Sequence, residues 1–516
     1  MGIILFLFKM NFTLSKESGE NKYYLFFFII VLTAFGVSSW INVGVMSYDE
    51  HYQILEFAHY KRGLGNPSQL AWEYEARIRA AIQPTIAYIL IELMNMLTIT
   101  DPFNQAFILR VLSGIFSIFC IYRLFMSLRN TISSPVMVFL FFVFSFLFYR
   151  LPYLGVRFGS ENWSSCFAVW GISLLFDYIN DPESKTNSSN FFLTGTLFGL
   201  SFLFRYQSAI LLVGIALWAC VYHFKNIRYW LIMFLGFVFI IVLGFLIDRW
   251  FYGEWVLTTW NYFRVNLLEG KASEFGTEPW WWYFKALLSY GKLRYFEGLT
   301  LLLILLFMVR EFKNPITWML IPFLGVHFLI PHKEFRFISP MFYFVPYMVI
   351  SSLDYLYVLL GPSKRILLYL LFILIFTANS FAVVASVLHV SDNSMEIYKY
   401  LRTVEQKPVK IYHNSEQFYY TLSNQDGIIS PNFYKNGRNF QIENKGGNKF
   451  FLEKFIQLPA NKDTLQYLIL SDIEEQEKVK GRLEMVYDPY YDWIRQLNYR
   501  GWMRIGYCNW KLYKKM

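Results

Sequence analysis

The chain has 516 residues, of which 55% are hydrophobic and 21% aromatic, while only 16% carry a charge. This balance lies outside the range of ordinary soluble domains and indicates a membrane protein. The net charge of +10 comes without a basic soluble domain, so no nucleic-acid partner is expected. The four cysteines are scattered, and neither a disulfide framework nor a thiolate metal site is indicated.

Apolar stretches of about 17 to 25 residues, long enough to cross a bilayer as helices, recur up to residue 388. Because Lys and Arg cluster in alternate short connections, the positive-inside rule places the connections around 150–160, 250–292 and 331–336 outside the cytoplasm. Residues 80–98 would then lie along the outer interface or re-enter the membrane. The pattern predicts about eleven transmembrane helices plus interfacial helices.

The character of the chain changes after residue 388. Polar residues and Gly, Asn and Pro breakers surround short β-like runs such as VKIYH and QYLILS. We therefore predict an all-α polytopic membrane domain over residues 1–388. A small soluble α/β domain is predicted over residues 389–516, on the non-cytoplasmic side.

The stretch SYDEHYQILEFAHYKRG, residues 47–63, contains an acidic pair. Ser47 and Glu50 have the spacing of a capping box, which predicts the start of a helix. This helix would be amphipathic and lie on the membrane through Ile54, Leu55, Phe57 and Ala58. Asp49 and Glu50 either meet the helix dipole only, or include a catalytic base at the water–lipid boundary.

Two further segments place charge close to apolar sequence. Arg157 and Glu161 lie in LGVRFGSEN, and Arg205 interrupts the run LSFLFRYQSAILL. An arginine in such a setting needs a partner. Arg205 is therefore either one half of a structural ion pair inside the bundle or part of a functional site.

The loop 252–284 combines aromatic and polar residues. Its run of Trp and Tyr residues is typical of a belt at the membrane interface. The same loop also offers hydrogen-bonding groups beside these rings, a combination that suits sugar binding: Asn261, Arg264, Asn266 and Glu278.

The stretch IPHKEFRFISP, residues 330–340, gathers His332, Lys333, Glu334 and Arg336 between two apolar runs. These side chains either anchor lipid headgroups by snorkelling or hold the phosphate of a lipid-linked substrate.

A carboxylate pair, a cationic group and an aromatic polar loop are the parts needed to transfer a sugar from a lipid phosphate. The leaving phosphate needs charge neutralisation, and the acceptor hydroxyl needs a base. Glycoside hydrolysis would instead require two carboxylates across the bond. A transporter or flippase for lipid-linked glycans is the alternative, although its two related halves are not visible here, and a polymerase or ligase is another.

Five groups of residues occur in the order and spacing of one family. They are Asp49-Glu50 with Gln53, Glu56, Ala58 and His59; Trp72-Glu73-Tyr74 with Ile78-Arg79; Tyr252-Gly253; Phe275-Gly276-Thr277 with Pro279-Trp280 and Trp282-Tyr283; and His332-Lys333-Glu334 with Arg336-Phe337. The sequence thus resembles glycosyltransferase family 22 of the GT-C superfamily, the lipid-phosphate-mannose-dependent mannosyltransferases. Within that family it is most similar to the third mannosyltransferases of GPI-anchor synthesis.

The resemblance implies an inverting transfer of a mannosyl or related residue from a polyprenyl-phosphate donor to a glycan or glycolipid acceptor. The transfer would occur at the outer face of the membrane, without a cofactor or an obligatory metal. Asp49 would be the base, with Glu50 as support or acceptor contact. Substrate binding is assigned to Gln53, His59, Trp72, Glu73, Arg79, Arg157, Glu161, Arg205, Trp280, Trp282, His332, Lys333, Glu334 and Arg336.

The chain departs from the family pattern at three positions. Phe335 stands where a second Glu is common, and Glu278 and Trp281 stand where His is frequent. These departures bear on the identity of the acceptor more than on the chemistry. The Lys-, Asn-, Phe- and Ile-rich composition favours a bacterial inner membrane over the endoplasmic reticulum.

Overall fold

The protein is described here by a computed structural model. It covers residues 20–180, 188–223, 227–289, 293–360, 365–389, 395–404, 407–413, 431–435, 440–444, 451–459, 463–470, 473–503 and 510–516. The described part is mostly helical, as predicted.

The region up to residue 389 is built from helices joined by short connections. In chain order they are α1 (Glu20–Ile41), α2 (Tyr48–Glu50), α3 (Glu56–Lys61), α4 (Trp72–Glu75), α5 (Ile82–Met96), α6 (Pro102–Leu128), α7 (Pro135–Leu147), α8 (Leu151–Gly155), α9 (Ser160–Asn180), α10 (Ser188–Phe204), α11 (Ala209–Tyr222), α12 (Ile227–Tyr252), α13 (Thr258–Phe263), α14 (Trp282–Leu288), α15 (Arg294–Arg310), α16 (Pro315–Leu329), α17 (Val345–Leu359) and α18 (Arg365–Val387). Two π-helical turns, His51–Leu55 and Arg264–Leu268, extend α2 and α13. Short 3₁₀ segments include Lys271–Phe275 and Phe335–Tyr343.

Four helices among the described residues are long and apolar enough to cross a membrane. They are Lys22–Ile41, Pro102–Thr131, Ile227–Tyr252 and Arg365–Val387. Phe335–Tyr343 and α17 meet at a bend of 52° and make a fifth span if they are taken together. Several shorter apolar helices accompany them, so a multi-pass membrane protein is indicated, while the count of about eleven spans stays a prediction.

Close helix packing places two of the charged side chains. Helices α9 and α10 pack closely at Gly171, where a Cβ atom would collide with the ring of Phe198. Glu161 lies in the first turn of α9, and Arg205 directly follows α10. The packed helices therefore carry Glu161 and Arg205 to the same end of the helical region.

The C-terminal region contains a five-stranded sheet. Its strands are β1 (Val409–His413), β2 (Phe440–Asn444), β3 (Leu465–Leu470), β4 (Leu483–Tyr487) and β5 (Lys511–Lys515), in the order β2-β1-β3-β5-β4. Strand β1 is parallel to β2 and β3, whereas β5 is antiparallel to β3 and β4. The predicted run VKIYH forms β1, and LQYLIL forms β3.

The described residues of this region also include five short helices: α19 (Glu396–Leu401), α20 (Asn432–Lys435), α21 (Phe451–Gln457), α22 (Ile473–Lys478) and α23 (Asp492–Leu497). The domain boundary at 388–389 stays a prediction. One buried cluster joins Tyr52 and Phe57 of the first long loop, residues 42–81, to Tyr398, Phe433 and Trp510. The C-terminal region and this first loop thus share a core at one end of the helical region.

Candidate active site

The acidic pair begins a helix that is continuous from residue 48 to 61. Ser47 precedes it in an extended conformation but makes no side-chain cap, so the predicted capping box does not form. The Ser47 hydroxyl instead accepts a hydrogen bond from Arg336. The Glu50 carboxylate accepts from the amide of Met46 at 3.1 Å and lies 3.6 Å from Arg157 Nη1.

The prediction that this helix lies on the membrane is wrong. Its apolar face is buried inside the protein, against α5 and the C-terminal region: Ile54, Leu55, Phe57 and Ala58. The helix is amphipathic as its sequence predicts, but a protein surface rather than lipid covers the apolar side.

Arg336 lies at the centre of a cluster of carboxylates. Its Nη1 atom is 2.8 Å from Asp49 Oδ2 and 3.2 Å from Glu161 Oε1. Its Nε and Nη2 atoms donate to the two oxygens of Glu334 at 2.6 and 2.9 Å, a bidentate pair. Hydrogen bonding and attraction from Arg336 outweigh burial and lower the pKa of Glu334. One guanidinium therefore joins the first loop, the start of α9 and the 330–340 segment.

Two other arginines complete the charge balance of this cluster. Arg205 Nη1 lies 2.8 Å from Glu161 Oε1, so Arg205 forms a buried ion pair, and that pair adjoins Arg336. Its part in a functional site stays a prediction. Arg79 Nη2 lies 3.7 Å from Asp49 Oδ2. Because the side chain of Asp49 keeps 25% of its surface exposed while Glu161 keeps 5%, Asp49 is the more accessible of these two acids.

Glu73 lies behind Arg79 and carries an altered pKa. Gln53 Nε2 donates to Glu73 Oε1 at 2.8 Å, and Arg79 Nη2 is 3.9 Å away. Burial raises the pKa of Glu73; Asp49 reinforces this effect and Arg79 opposes it. Perturbed carboxyl groups of this kind are concentrated at functional sites.

The backbone around Arg79 is held by the loop that follows α12. Arg77 adopts a left-handed conformation with φ 52° and forms an ion pair of 2.8 Å with Glu254. The Tyr252 hydroxyl donates to the carbonyl of Arg79 at 2.7 Å, and Asn261 Nδ2 donates to that of Arg77 at 3.3 Å. Tyr252 and Asn261 thus act on the shape of the first loop and do not contact the acidic cluster.

Arg157 lies apart from Arg336 and is almost fully buried. It donates to the carbonyl of Gly44 and, at 3.2 Å, to Asn42 Oδ1, in addition to its contact with Glu50. Arg157 and Glu161 both line a small cavity of about 340 Å³, a volume that includes space open to solvent. Arg157 is therefore placed to brace the start of the acidic helix from behind.

Lys333 does not join a cationic nest with Arg336, in contrast to the sequence prediction. Its Nζ atom donates to the carbonyls of His327 at 3.2 Å, of Phe328 at 2.9 Å and of Ile330, at the end of α16. Burial lowers the pKa of Lys333, and Glu278 partly offsets this shift. The ammonium group satisfies carbonyls that the helix end leaves free.

Snorkelling of this segment to lipid headgroups is not what the structure describes, because Lys333 is buried and Arg336 keeps only 11% of its side chain exposed. His332 links the segment to the aromatic loop: its Nδ1 lies 3.1 Å from the carbonyl of Gly276 and its Nε2 3.2 Å from Glu334 Oε1. Gly276 has φ 104°, a conformation that favours glycine.

The aromatic residues divide into three groups. The Trp72 ring stacks on Phe275 with centroids 6.5 Å apart, and Trp280 is 62% exposed. Trp282 is partly buried and packs against the core of the helical region. Two polar residues of this loop form contacts within the loop itself. Asn266 donates to the carbonyl of Tyr262, and Arg264 pairs with Glu269 at 3.2 Å.

His59, assigned to substrate binding from sequence, lies elsewhere. Its side chain is buried, and its ring packs against that of Phe433 with the centroids 6.2 Å apart. Burial lowers the pKa of His59. Within the described residues, no group of three or more His, Cys, Asp or Glu side chains is arranged to hold a metal ion. The cluster therefore presents one accessible carboxylate, that of Asp49, beside arginine side chains that other acids hold in place.

Comparison with proteins of known sequence gives long, weak matches. The bovine GPI alpha-1,2-mannosyltransferase 3 is 26% identical over 330 residues, covering 63% of this chain and 58% of the bovine protein. The human protein of the same name is 27% identical over 339 residues, covering 63% and 56%. This chain thus matches somewhat more than half the length of these relatives.

Comparison of folds gives ArnT from Cupriavidus metallidurans in the apo state, with a TM-score of 0.50 and 11% identity over 96% of this chain and 98% of that one. The match supports the GT-C fold expected from the sequence. The family model described as Alg9-like mannosyltransferase family matches residues 24–424. This chain therefore belongs to the Alg9-like mannosyltransferase family.

Proposed function

We propose that this protein transfers a mannosyl group from a polyprenyl-phosphate donor to a hydroxyl group of a glycan or glycolipid acceptor. The observation that carries the proposal is the contact between the Asp49 carboxylate and the Arg336 guanidinium, 2.8 Å apart and partly open to solvent. A base for the acceptor and a cation for the leaving phosphate are thereby adjacent.

The reaction requires one base. The acceptor oxygen attacks the anomeric carbon while the bond from that carbon to the phosphate oxygen breaks. The hydroxyl proton passes to Asp49, and the lipid phosphate leaves with the bonding electrons. Attack opposite the leaving group inverts the anomeric configuration, and no nucleotide sugar, cofactor or metal takes part.

Arg336 and Arg79 would neutralise the phosphate, because both guanidinium groups face Asp49. Phosphate oxygens would then compete with Asp49 for Arg336. Donor binding would in this way free the Asp49 carboxylate from Arg336 and leave it open to the acceptor hydroxyl.

The other two acids that contact Arg336, Glu334 and Glu161, would position it and take no proton themselves. Glu334 fixes the guanidinium by two parallel hydrogen bonds, and Glu161 holds it from the side where Arg205 also pairs. Glu73 and Gln53 would orient Arg79 in the same manner. Such support lowers the cost of organising charges during the reaction.

The exposed aromatic residues supply a surface for the sugar rings. Trp280 and the stacked pair of Trp72 and Phe275 belong to the first loop and the 252–284 loop, which His332 ties to the cluster. Because Glu278 and Trp281 depart from the family pattern here, this surface is where acceptor choice is expected to be determined.

We further propose that the cluster and the C-terminal region face the non-cytoplasmic side. The distribution of Lys and Arg supports this orientation. Composition favours a bacterial inner membrane.

The proposal is tested with the purified full-length chain and a polyprenyl phosphate carrying labelled mannose. With acceptor glycolipid and a chelator present, we expect labelled product and an equal amount of free polyprenyl phosphate. Movement of intact donor across vesicles without product would indicate a flippase instead. Products with many added units would indicate a polymerase.

A further inference from the structure

A short segment of the C-terminal region, residues 431–435, is inserted against the helix that carries the acidic pair. Phe433 and Tyr434 are each 2% exposed. The contact involves His51 and Glu56 of this helix and not Asp49. The membrane region and the C-terminal region thus meet within one turn of the proposed base along the chain.

The contact is specific and polar as well as apolar. The backbone amide of Phe433 donates to Glu56 Oε1 at 2.9 Å, and His51 Nε2 lies 2.7 Å from the same oxygen. The His51 ring stacks on Tyr434 with centroids 5.3 Å apart and an interplanar angle of 16°. Both His51 and Glu56 are almost fully buried, so their side chains contact each other in place of water.

These two residues bound a π-helical turn. His51–Leu55 forms the wide turn, and the amide of Glu56 donates to the carbonyl of His51, an i to i+5 bond. Such turns are rare, are less favourable than the α-helix and commonly occur at functional sites. The groups that contact the 431–435 segment are therefore the two that close the turn.

The wide turn affects the direction of the acidic pair. It accommodates one extra residue, and one residue corresponds to about 100° of rotation in an α-helix. If the turn relaxed to an α-helix while residues 56–61 stayed fixed, residues 48–50 would rotate by about that amount. Asp49 would then no longer point at Arg336.

We propose that the 431–435 segment is a positioning element that holds the π-helical turn and thereby directs Asp49 towards Arg336. Tyr434 and Glu56 are the residues through which it acts, and neither contacts the proposed substrates. This proposal rests on the proposed function for its catalytic consequence. Its structural part, the holding of the turn, stands independently.

The experiment compares Tyr434→Leu with Phe455→Leu in the full-length protein. Phe455 is also fully buried in the C-terminal region but belongs to a different core, against Tyr412. Phe455→Leu therefore damages this region without touching the turn. Tyr434→Phe keeps the stacked ring and is the conservative variant.

Hydrogen exchange of the amides of residues 51–56, followed by mass spectrometry, reads the turn without any assay of transfer. We expect Tyr434→Leu to accelerate this exchange by about tenfold or more, and Phe455→Leu and Tyr434→Phe to leave it within about twofold of the wild type. Where transfer is measurable, Tyr434→Leu is expected to lower kcat with little change in the donor KM.

Glu56→Gln is the second variant, in case Tyr434→Leu does not fold. Its amide oxygen can still accept from Phe433, but the negative charge beside His51 is lost. Accelerated exchange confined to residues 51–56, with β1 unchanged, supports the proposal. Unchanged exchange in the folded variants, or equal acceleration by Phe455→Leu, would overturn it. Absence of mannose transfer in the wild type would overturn the proposed function and leave the exchange result to decide on the turn.

Discussion

Arg336 bridges Asp49 and Glu161, at 2.8 and 3.2 Å through a single nitrogen atom. The two acids differ in exposure, since Asp49 keeps 25% of its side-chain surface and Glu161 5%. A buried acid between two arginines is held ionised, so the role of Glu161 is to hold Arg205 and Arg336 in place. Asp49 is more exposed and can exchange Arg336 for another partner.

Arg336→Lys is expected to raise the donor KM by about tenfold or more. The guanidinium group of Arg336 contacts three carboxylates through several N–H donors, whereas the ammonium group of lysine offers only a point charge. The measurement is the donor KM of purified variants with comparable melting temperatures. Arg482→Lys is the matched control, since Arg482 is about half exposed and pairs on the surface of the C-terminal region with Glu453. Normal donor use by Arg336→Lys would remove the phosphate-binding role.

Lys333→Met is expected to destabilise the protein by about 1 to 3 kcal/mol, because three carbonyls near the end of α16 lose their donor. The donor KM is expected to change little. Thermal unfolding and donor kinetics together check this, with Lys285→Met as an exposed control. A large rise in KM at unchanged stability would restore Lys333 to the phosphate site, as the sequence predicted.

A reporter fused after Met516 is expected to be active only outside the cytoplasm. Since Phe433 and Tyr434 contact the helix of the acidic pair, the C-terminal region and the cluster lie on the same side of the membrane. One fusion therefore reports the location of both. Reporter activity in the cytoplasm would overturn the proposed orientation of the cluster as well as that of the C-terminal region.

Glu396→Gln is expected to change how stability depends on pH. Burial raises the pKa of Glu396 from 4.5 to about 7, against the effects of Lys399, Tyr487 and Arg110. Between these two values the folded state binds more protons than the unfolded state, so stability falls as pH rises from about 4.5 to 7. The variant cannot ionise and is expected to lose this part of the slope, which melting temperatures across the range will show. An identical slope in both proteins would contradict the assignment.

The sequence was sufficient to predict the membrane class, the mostly helical fold and the family, because these depend on long apolar runs and on the order of motifs. Glu161, Arg205 and Arg336 stand out separately in the sequence as charges near apolar runs, and Arg79 only through the family motif. Their convergence on one cluster depends on how α9 and α10 pack, which no local pattern encodes.

The failures have physical causes of the same kind. Ser47 and Glu50 match a capping box, but a tertiary partner, Arg336, takes the hydroxyl. Lys333 resembles a phosphate ligand by its neighbours, yet the end of α16 is nearer to its ammonium group. Phe433 and Tyr434 carry no motif, and their role is visible only where the C-terminal region meets the first loop.

Asp49→Asn tests the central claim most directly. The amide keeps the shape of the side chain but cannot accept the acceptor proton, so turnover is expected to fall by about 10²- to 10⁴-fold. Donor binding is expected to be equal or tighter, because the variant no longer competes with phosphate for Arg336. Glu50→Gln is the control: it keeps an acceptor for the Met46 amide and is expected to lose less than about tenfold in turnover. Near-wild-type turnover of Asp49→Asn, or a heavier loss from Glu50→Gln, would contradict the assignment of Asp49 as the base.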